Sequence, residues 1–266
     1  MNFRNTIWGD RNARSEPNFA ISCQRDSRFR YVYFESKVDS DGIESNGAYF
    51  MKKTSLLILA GATALFFGGC DLVGIRGNGH VITDQRPVAE FAEIAASGGL
   101  RIEWHSGPPS LSITTDQNLL SHIENRIEGK TLRLRTHDRL RPTHGIKVSI
   151  SSRQLEGADL RGAVDLIVKN ISGSKFYVRA SGASDITVDG NVEEFLADLT
   201  GATDLRAKDL KTKSTEISST GASSAKISVS DTLRVSITGA GDVTYYGNPK
   251  TIEKHVTGAG SIRHKD

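Results

Sequence analysis

The sequence has little cysteine: two residues in 266, far apart at Cys23 and Cys70. Neither belongs to a Cys-x-x-Cys pair, so a cysteine-built metal site is excluded. Cys23 lies within the first 50 residues and Cys70 ends an apolar run, so the rest of the chain has no disulfide to stabilise it. Long hydrophobic runs are absent too. The longest, from Leu56 to Phe67, is interrupted only by Thr63 and is too short for a comfortable transmembrane helix. There is no His-Glu-x-x-His, no Gly-x-Ser-x-Gly and no phosphate-binding glycine loop with its lysine. The seven histidines (80, 105, 122, 137, 144, 255 and 264) lack metal-ligand spacing. Gly77-Asn78-Gly79 is followed by no helical pattern, which removes the dinucleotide-loop reading. No catalytic residue, cofactor or resident metal is assigned.

Charge is also modest. Of the formal +3, residues 1–50 contribute nothing and Lys52 and Lys53 contribute two, leaving about +1 for the remainder. No basic stripe with interleaved aromatics exists, so nucleic acid is not an expected partner. Arg133, Arg135, Arg139 and Arg141, with Lys130 nearby, form the densest basic patch. It reads as the solvated face of a strand and its loop, or as a contact for anionic lipid heads or surface glycans.

What the sequence has is a phrase repeated six times. Arg161-Gly162-Ala163-Val164-Asp165 is followed by Ser181-Gly182-Ala183-Ser184-Asp185 and Thr200-Gly201-Ala202-Thr203-Asp204. Then come Thr220-Gly221-Ala222-Ser223-Ser224, Thr238-Gly239-Ala240-Gly241-Asp242 and Thr257-Gly258-Ala259-Gly260-Ser261. The glycines are spaced by 20, 19, 20, 18 and 19 residues. A near-fixed period of this size marks a solenoid. Period-two runs flank each Gly-Ala, such as Phe176 to Ala180 and Asp185 to Val188, and these are half-buried strands. Gly162, Gly182, Gly201, Gly221, Gly239 and Gly258 are the structural corners. A second turn, as at Asp189-Gly190-Asn191 or Gly247-Asn248-Pro249, is expected to close each coil. Too few residues remain per repeat for helices. The expected fold is all-β: a single-stranded parallel β-helix, or β-solenoid.

Residues 76–155 alternate differently. Leu100 to Trp104, Leu111 to Thr114, Leu132 to Arg135 and Ile146 to Ile150 read as strands, and Leu119, Leu120 and Ile123 have the spacing of one helical turn. This is a β-rich N-terminal capping segment, since a solenoid end otherwise exposes edge strands.

Met51-Lys52-Lys53-Thr54, the apolar run and Gly68-Gly69-Cys70 have the order of a secretory signal peptide over 51–69. The Cys after two small residues resembles the lipobox of bacterial lipoproteins, with Cys70 as lipid-attachment residue. Phe67 stands where Leu is commoner. Residues 70–79 would be a short tether. Residues 1–50, with seven basic and seven acidic residues and no period, would precede a signal peptide. They are expected to be a mis-called upstream extension, with translation starting at Met51.

Asp165, Asp185, Asp204 and Asp242 hold equivalent motif positions, with Ser224 and Ser261 in the other two copies. In a stack they form a column. They are weak candidates for a cation site or an acid pair for glycan cleavage. Exchange of Asp with Ser favours turn capping, in which either side chain bonds a nearby backbone N–H.

Several features together resemble the head GIN domain, a family labelled auto-transporter adhesin and of unknown function. They are Gly77-Asn78-Gly79, Phe91-Ala92-Glu93-Ile94 with Ser97-Gly98-Gly99, the Asn118-Leu119-Leu120 segment and the repeated Thr/Ser-Gly-Ala-x-Asp. The resemblance covers roughly residues 80–262. It implies a right-handed β-helix exported to the bacterial envelope, often as a lipoprotein, and carries no catalytic residues. An auto-transporter needs a translocating β-barrel, and none is expected through Asp266. The expected protein is lipid-anchored in the cell envelope, on the periplasmic face of either membrane or at the cell surface. It would be non-catalytic and present its solenoid to a glycan, envelope or protein ligand. The alternatives are a β-helix enzyme acting on polysaccharide, and an envelope-maintenance module binding lipid or peptidoglycan.

Overall fold

A computed structural model describes residues 74–266. The expectations for residues 1–73, including the upstream extension, the signal peptide and Cys70, lie outside the described residues.

The first half is a set of short strands. β1 (Ile75–Arg76) and β2 (Val81–Arg86) lead into the long β3 (Glu93–Ser106) and then β4 (Ser110–Asp116). A 3-10 turn at Gln117–His122 buries Leu119, as the Leu119/Leu120/Ile123 spacing anticipates. β5 (Ile123–Glu128), β6 (Thr131–Thr136), β7 (Leu140–Arg141) and β8 (Lys147–Ser152) follow. The second half is the coil series. It comprises β9 (Gly157–Gly182), β10 (Asp185–Gly201), β11 (Asp204–Gly221), β12 (Ser224–Gly239), β13 (Asp242–Tyr246), β14 (Thr251–Gly258) and β15 (Ser261–His264).

These later strands pair in parallel and in register, glycine on glycine: Gly182 on Gly201, Gly201 on Gly221, Gly221 on Gly239 and Gly239 on Gly258. The chain is a right-handed β-solenoid with a β-rich N-terminal cap. Alternating side chains enter one continuous core, in which Phe176 and Phe195 of adjacent coils stack with ring centroids 6.0 Å apart. At about 25 cal/mol per Å² of apolar surface removed from water, this shared core is what a single coil could not build.

The coil differs from the expected strand–corner–strand–turn in one respect. Asp189-Gly190-Asn191 does not interrupt β10; Gly190, at φ +130°, bends the strand where its register with both neighbours shifts. In this coil series the strand breaks fall mainly just after the motif glycines, and at residues 247–250, where Gly247-Asn248-Pro249 does end β13.

The cap has a definite construction. β3 is itself a coil: Gly98 pairs with Gly162 and Leu100 with Val164 across a 64-residue separation. On the opposite edge of β3 lie β6, paired from Glu93 to Ser97, and β8, paired from Arg101 to Ser106. The insertion between β3 and β9 thus supplies two strands where a preceding coil would stand. Antiparallel partners close it off, β5 on β6 and β4 then β2 on β8. The expected tether is docked from Ile75 onward. Ile75 and Arg76 pair with β7, and the Gly79 N–H donates to the buried Asp116 carboxylate at 2.7 Å.

Candidate functional site: the glycine corner and a charged groove

The corner is set by backbone geometry. Gly162, Gly182, Gly201, Gly221, Gly239 and Gly258 have φ between +98° and +128°, where a side chain is strained. The following alanine donates its N–H to the glycine carbonyl of the preceding coil, at 2.9 Å for Ala183 to Gly162 and 2.8 Å for Ala202 to Gly182. Coil stacking at the corner therefore needs both positive φ and an absent β-carbon.

The aspartates do form a column. Asp185 pairs with Asp204, Asp204 with Ser224, Ser224 with Asp242 and Asp242 with Ser261. Their contacts are not those of turn caps. The Ser224 hydroxyl donates to Asp204 at 2.6 Å, and the Ser261 hydroxyl donates to Asp242. Arg101 pairs with Asp165 at 3.0 Å, and Arg206 lies between Asp185 and Asp204. From Asp204 to Ser261 the alternation of Asp and Ser is donor–acceptor matching between coils, while Arg206 offsets the like charges of the stacked Asp185 and Asp204. In two coils an inward hydroxyl one residue earlier takes the backbone N–H instead, while the buried Thr203 hydroxyl at the same position has no partner among the described residues. Ser184 Oγ accepts the Val164 N–H at 3.4 Å, and Ser223 Oγ accepts the Thr203 N–H at 3.3 Å while donating to the Gly201 carbonyl. Sequence reading placed the cap one position too late because it could not tell which of two polar neighbours points inward. Among the described residues no cluster of three or more His, Cys, Asp or Glu could hold a metal ion.

The second feature is a groove where β6, β3 and β9 lie side by side. It holds about 440 Å³, within the range of small-ligand sites. Its floor is built from small outward residues of β3. Register places Ala95 between Arg133 and Asp159, and Ser97 between Arg135 and Arg161. At about 4.8 Å per strand, the Arg135 and Arg161 backbones stand about 10 Å apart across Ser97. At one end the Tyr177 ring lies on Gly157, where a β-carbon would come within 2.0 Å of the ring.

Thr131 donates to Glu93 at 2.8 Å, the Lys130 ammonium lies 3.2 Å away, and the Tyr177 phenol is the third group beside this carboxylate. Burial pushes the Glu93 carboxyl up, but the bonds from Thr131, Lys130 and Tyr177 outweigh it and hold the group below the usual carboxylate range. Burial and the Glu93 bond raise the Tyr177 phenol. Around the rim, Arg126 pairs with Glu124, Arg133 with Glu128, and Arg161 with Asp159. Arg135 is exposed and has no ion-pair or hydrogen-bond partner among the described residues.

The basic patch foreseen at 133–141 divides. Arg133 and Arg135 line the groove, while Arg141 is on β7, the partner of β1. Glu93, Asp159, Arg161 and Tyr177 are missed by sequence reading, because only long-range strand pairing brings them beside β6.

Residues 90–249 match the family described as "Putative auto-transporter adhesin, head GIN domain". No curated protein matches the sequence. A solved structure from Bacteroides fragilis described as a "putative adhesin" superposes with a TM-score of 0.62 at 20% identity, covering 72% of this chain and all of that one. A "putative lipid binding protein" from Parabacteroides distasonis, at 22% identity, has a TM-score of 0.44 over 72% of this chain and 99% of its own. An adhesin-labelled chain from Parabacteroides merdae gives 0.43 at 19% identity over the same shares. The family match spans more than half of the sequence and runs from just before β3 to just after β13, so the chain belongs to the head GIN domain family.

Proposed function

We propose that the protein is a lipid-anchored component of the bacterial cell envelope whose β-solenoid presents a surface for binding or adhesion without catalysis. Three segments support the anchor: the basic Met51-Lys52-Lys53 head, the apolar run and Gly68-Gly69-Cys70, with Cys70 taking the lipid and residues 51–69 removed. Residues 80–262 form the displayed domain. Residues 1–50 precede the true start.

The observation that carries the binding reading is the groove. It has the carboxylates and the tyrosine that a polysaccharide-acting enzyme also needs, so the two readings meet there. A glycosidase acid must hold its proton near neutrality, which requires a raised carboxyl. Glu93 is shifted the other way, and Glu124, Glu128 and Asp159 are each engaged by an arginine. Such a site recognises polar groups and leaves bonds intact. Incubation with acidic polysaccharides is expected to release no reducing ends and no unsaturated products. Sustained release that disappears in Glu93→Gln would transfer the protein to the hydrolase or lyase class.

A further inference from the structure

We propose that the groove across β6, β3 and β9 binds a sugar carrying a single carboxylate, with Arg135 as its charge partner. This rests on the reading of the solenoid as a binding surface and names its ligand class. Charge bookkeeping is the first argument. Four guanidiniums and four carboxylates line the groove, and the fourth carboxylate, Glu93, is paired with Lys130 at its edge. Three of the arginines are committed to carboxylates, and Arg135 is not. A polyanion would meet four carboxylates with one cation to spare. A ligand with one negative charge is matched.

Shape is the second argument. Ser97 lies in the same row between Arg135 and Arg161, leaving low ground between two long side chains. A planar guanidinium fits a carboxylate through two parallel N–H bonds. The third argument is the mixed lining. A pyranose offers hydroxyls that both donate and accept, plus an apolar C–H face. Glu93 and Asp159 are acceptors for the hydroxyls, and Tyr177 is the aromatic surface in the cavity. A neutral sugar leaves Arg135 unpaired, and a lipid headgroup leaves the tyrosine end unused.

The test is calorimetric titration of the purified full chain with three probes that each carry one carboxylate: galacturonate, glucuronate and sialyllactose. Their methyl esters serve as neutral controls, and phosphatidylglycerol vesicles as an anionic surface. At least one acid is expected to bind in the submillimolar range, with its ester at least tenfold weaker. Arg135→Ala should weaken binding tenfold or more with an unchanged melting temperature, and Arg135→Lys should recover part of the loss. Absence of binding by every acid overturns the proposal. So does equal binding of acid and ester, wild-type affinity in Arg135→Ala, or binding to vesicles alone. Lipid labelling at Cys70 and envelope fractionation are unaffected by any of these results, so loss of this site and loss of the anchored-protein reading are separable.

Discussion

A β-carbon on Gly201 would stand 2.4 Å from the carbonyl oxygen of Gly182 in the preceding coil, at a residue whose φ is +107°. Conformation and contact both require glycine there. Gly201→Val adds backbone strain of about 1–3 kcal/mol to that backbone overlap. Asp204→Asn keeps an oxygen for the Ser224 hydroxyl and loses only exposed pairing with Arg206, worth about 0–1 kcal/mol. Thermal melts are expected to show a large loss for the valine variant and little change for the asparagine one. Equal shifts would remove the corner from its structural role.

Ser223→Ala is expected to lower stability more than Asp204→Asn does. The Ser223 hydroxyl is buried and bonds both the Thr203 N–H and the Gly201 carbonyl. Leaving such groups unsatisfied costs about 1–3 kcal/mol. Urea midpoints of the two variants measure this order, and the reverse order would return the capping role to the aspartates.

Acid should loosen the docking of the segment before β2. Burial pushes the Asp116 carboxyl up, yet the Thr143 backbone and hydroxyl bonds and the Gly79 N–H outweigh it, so the group lies below its ordinary 3.8. A depressed carboxyl contributes stability that is complete above the unfolded value and is lost as pH falls through the folded value. Melting temperature should therefore hold down to about pH 4 and fall below it. Asp116→Asn should be less stable at pH 7 and show a shallower acid slope. An unchanged slope would contradict this assignment.

Calcium should leave the melting temperature unchanged. Asp204 and Asp242 are already bonded to serine hydroxyls, and Asp165 to Arg101. A real site at a hundredfold excess over its dissociation constant would add about 2.7 kcal/mol. A calcium-dependent rise lost in Asp185→Asn would promote metal-assisted adhesion.

The solenoid was legible because its signal is local: six glycines at 18–20-residue steps, each with an alternating flank. The first coil escaped that count for two reasons. Gly98 is 64 residues from Gly162, and Ser97-Gly98-Gly99-Leu100-Arg101 carries Arg where the motif has Asp. That arginine then faces Asp165, a complement that a search for likeness passes over. Period-two alternation identified the strands of the cap, but not that β6 and β8 occupy the place of a missing coil, because pairing is a long-range property. The groove was half visible. Arg133 and Arg135 stood out as neighbours in sequence, while Arg161 and Tyr177 reach it only through the stack.

In the proposed function an exported domain is held to a membrane by lipid on Cys70. Mass spectrometry of the mature N-terminus, on protein taken from the envelope of the native host, tests it most directly. The expected product is a chain beginning at Cys70 with a diacylglyceryl thioether, and in Cys70→Ala an uncleaved, unlabelled precursor beginning at Met51. A mature chain that begins at Met1, or lipid labelling that survives Cys70→Ala, would contradict it.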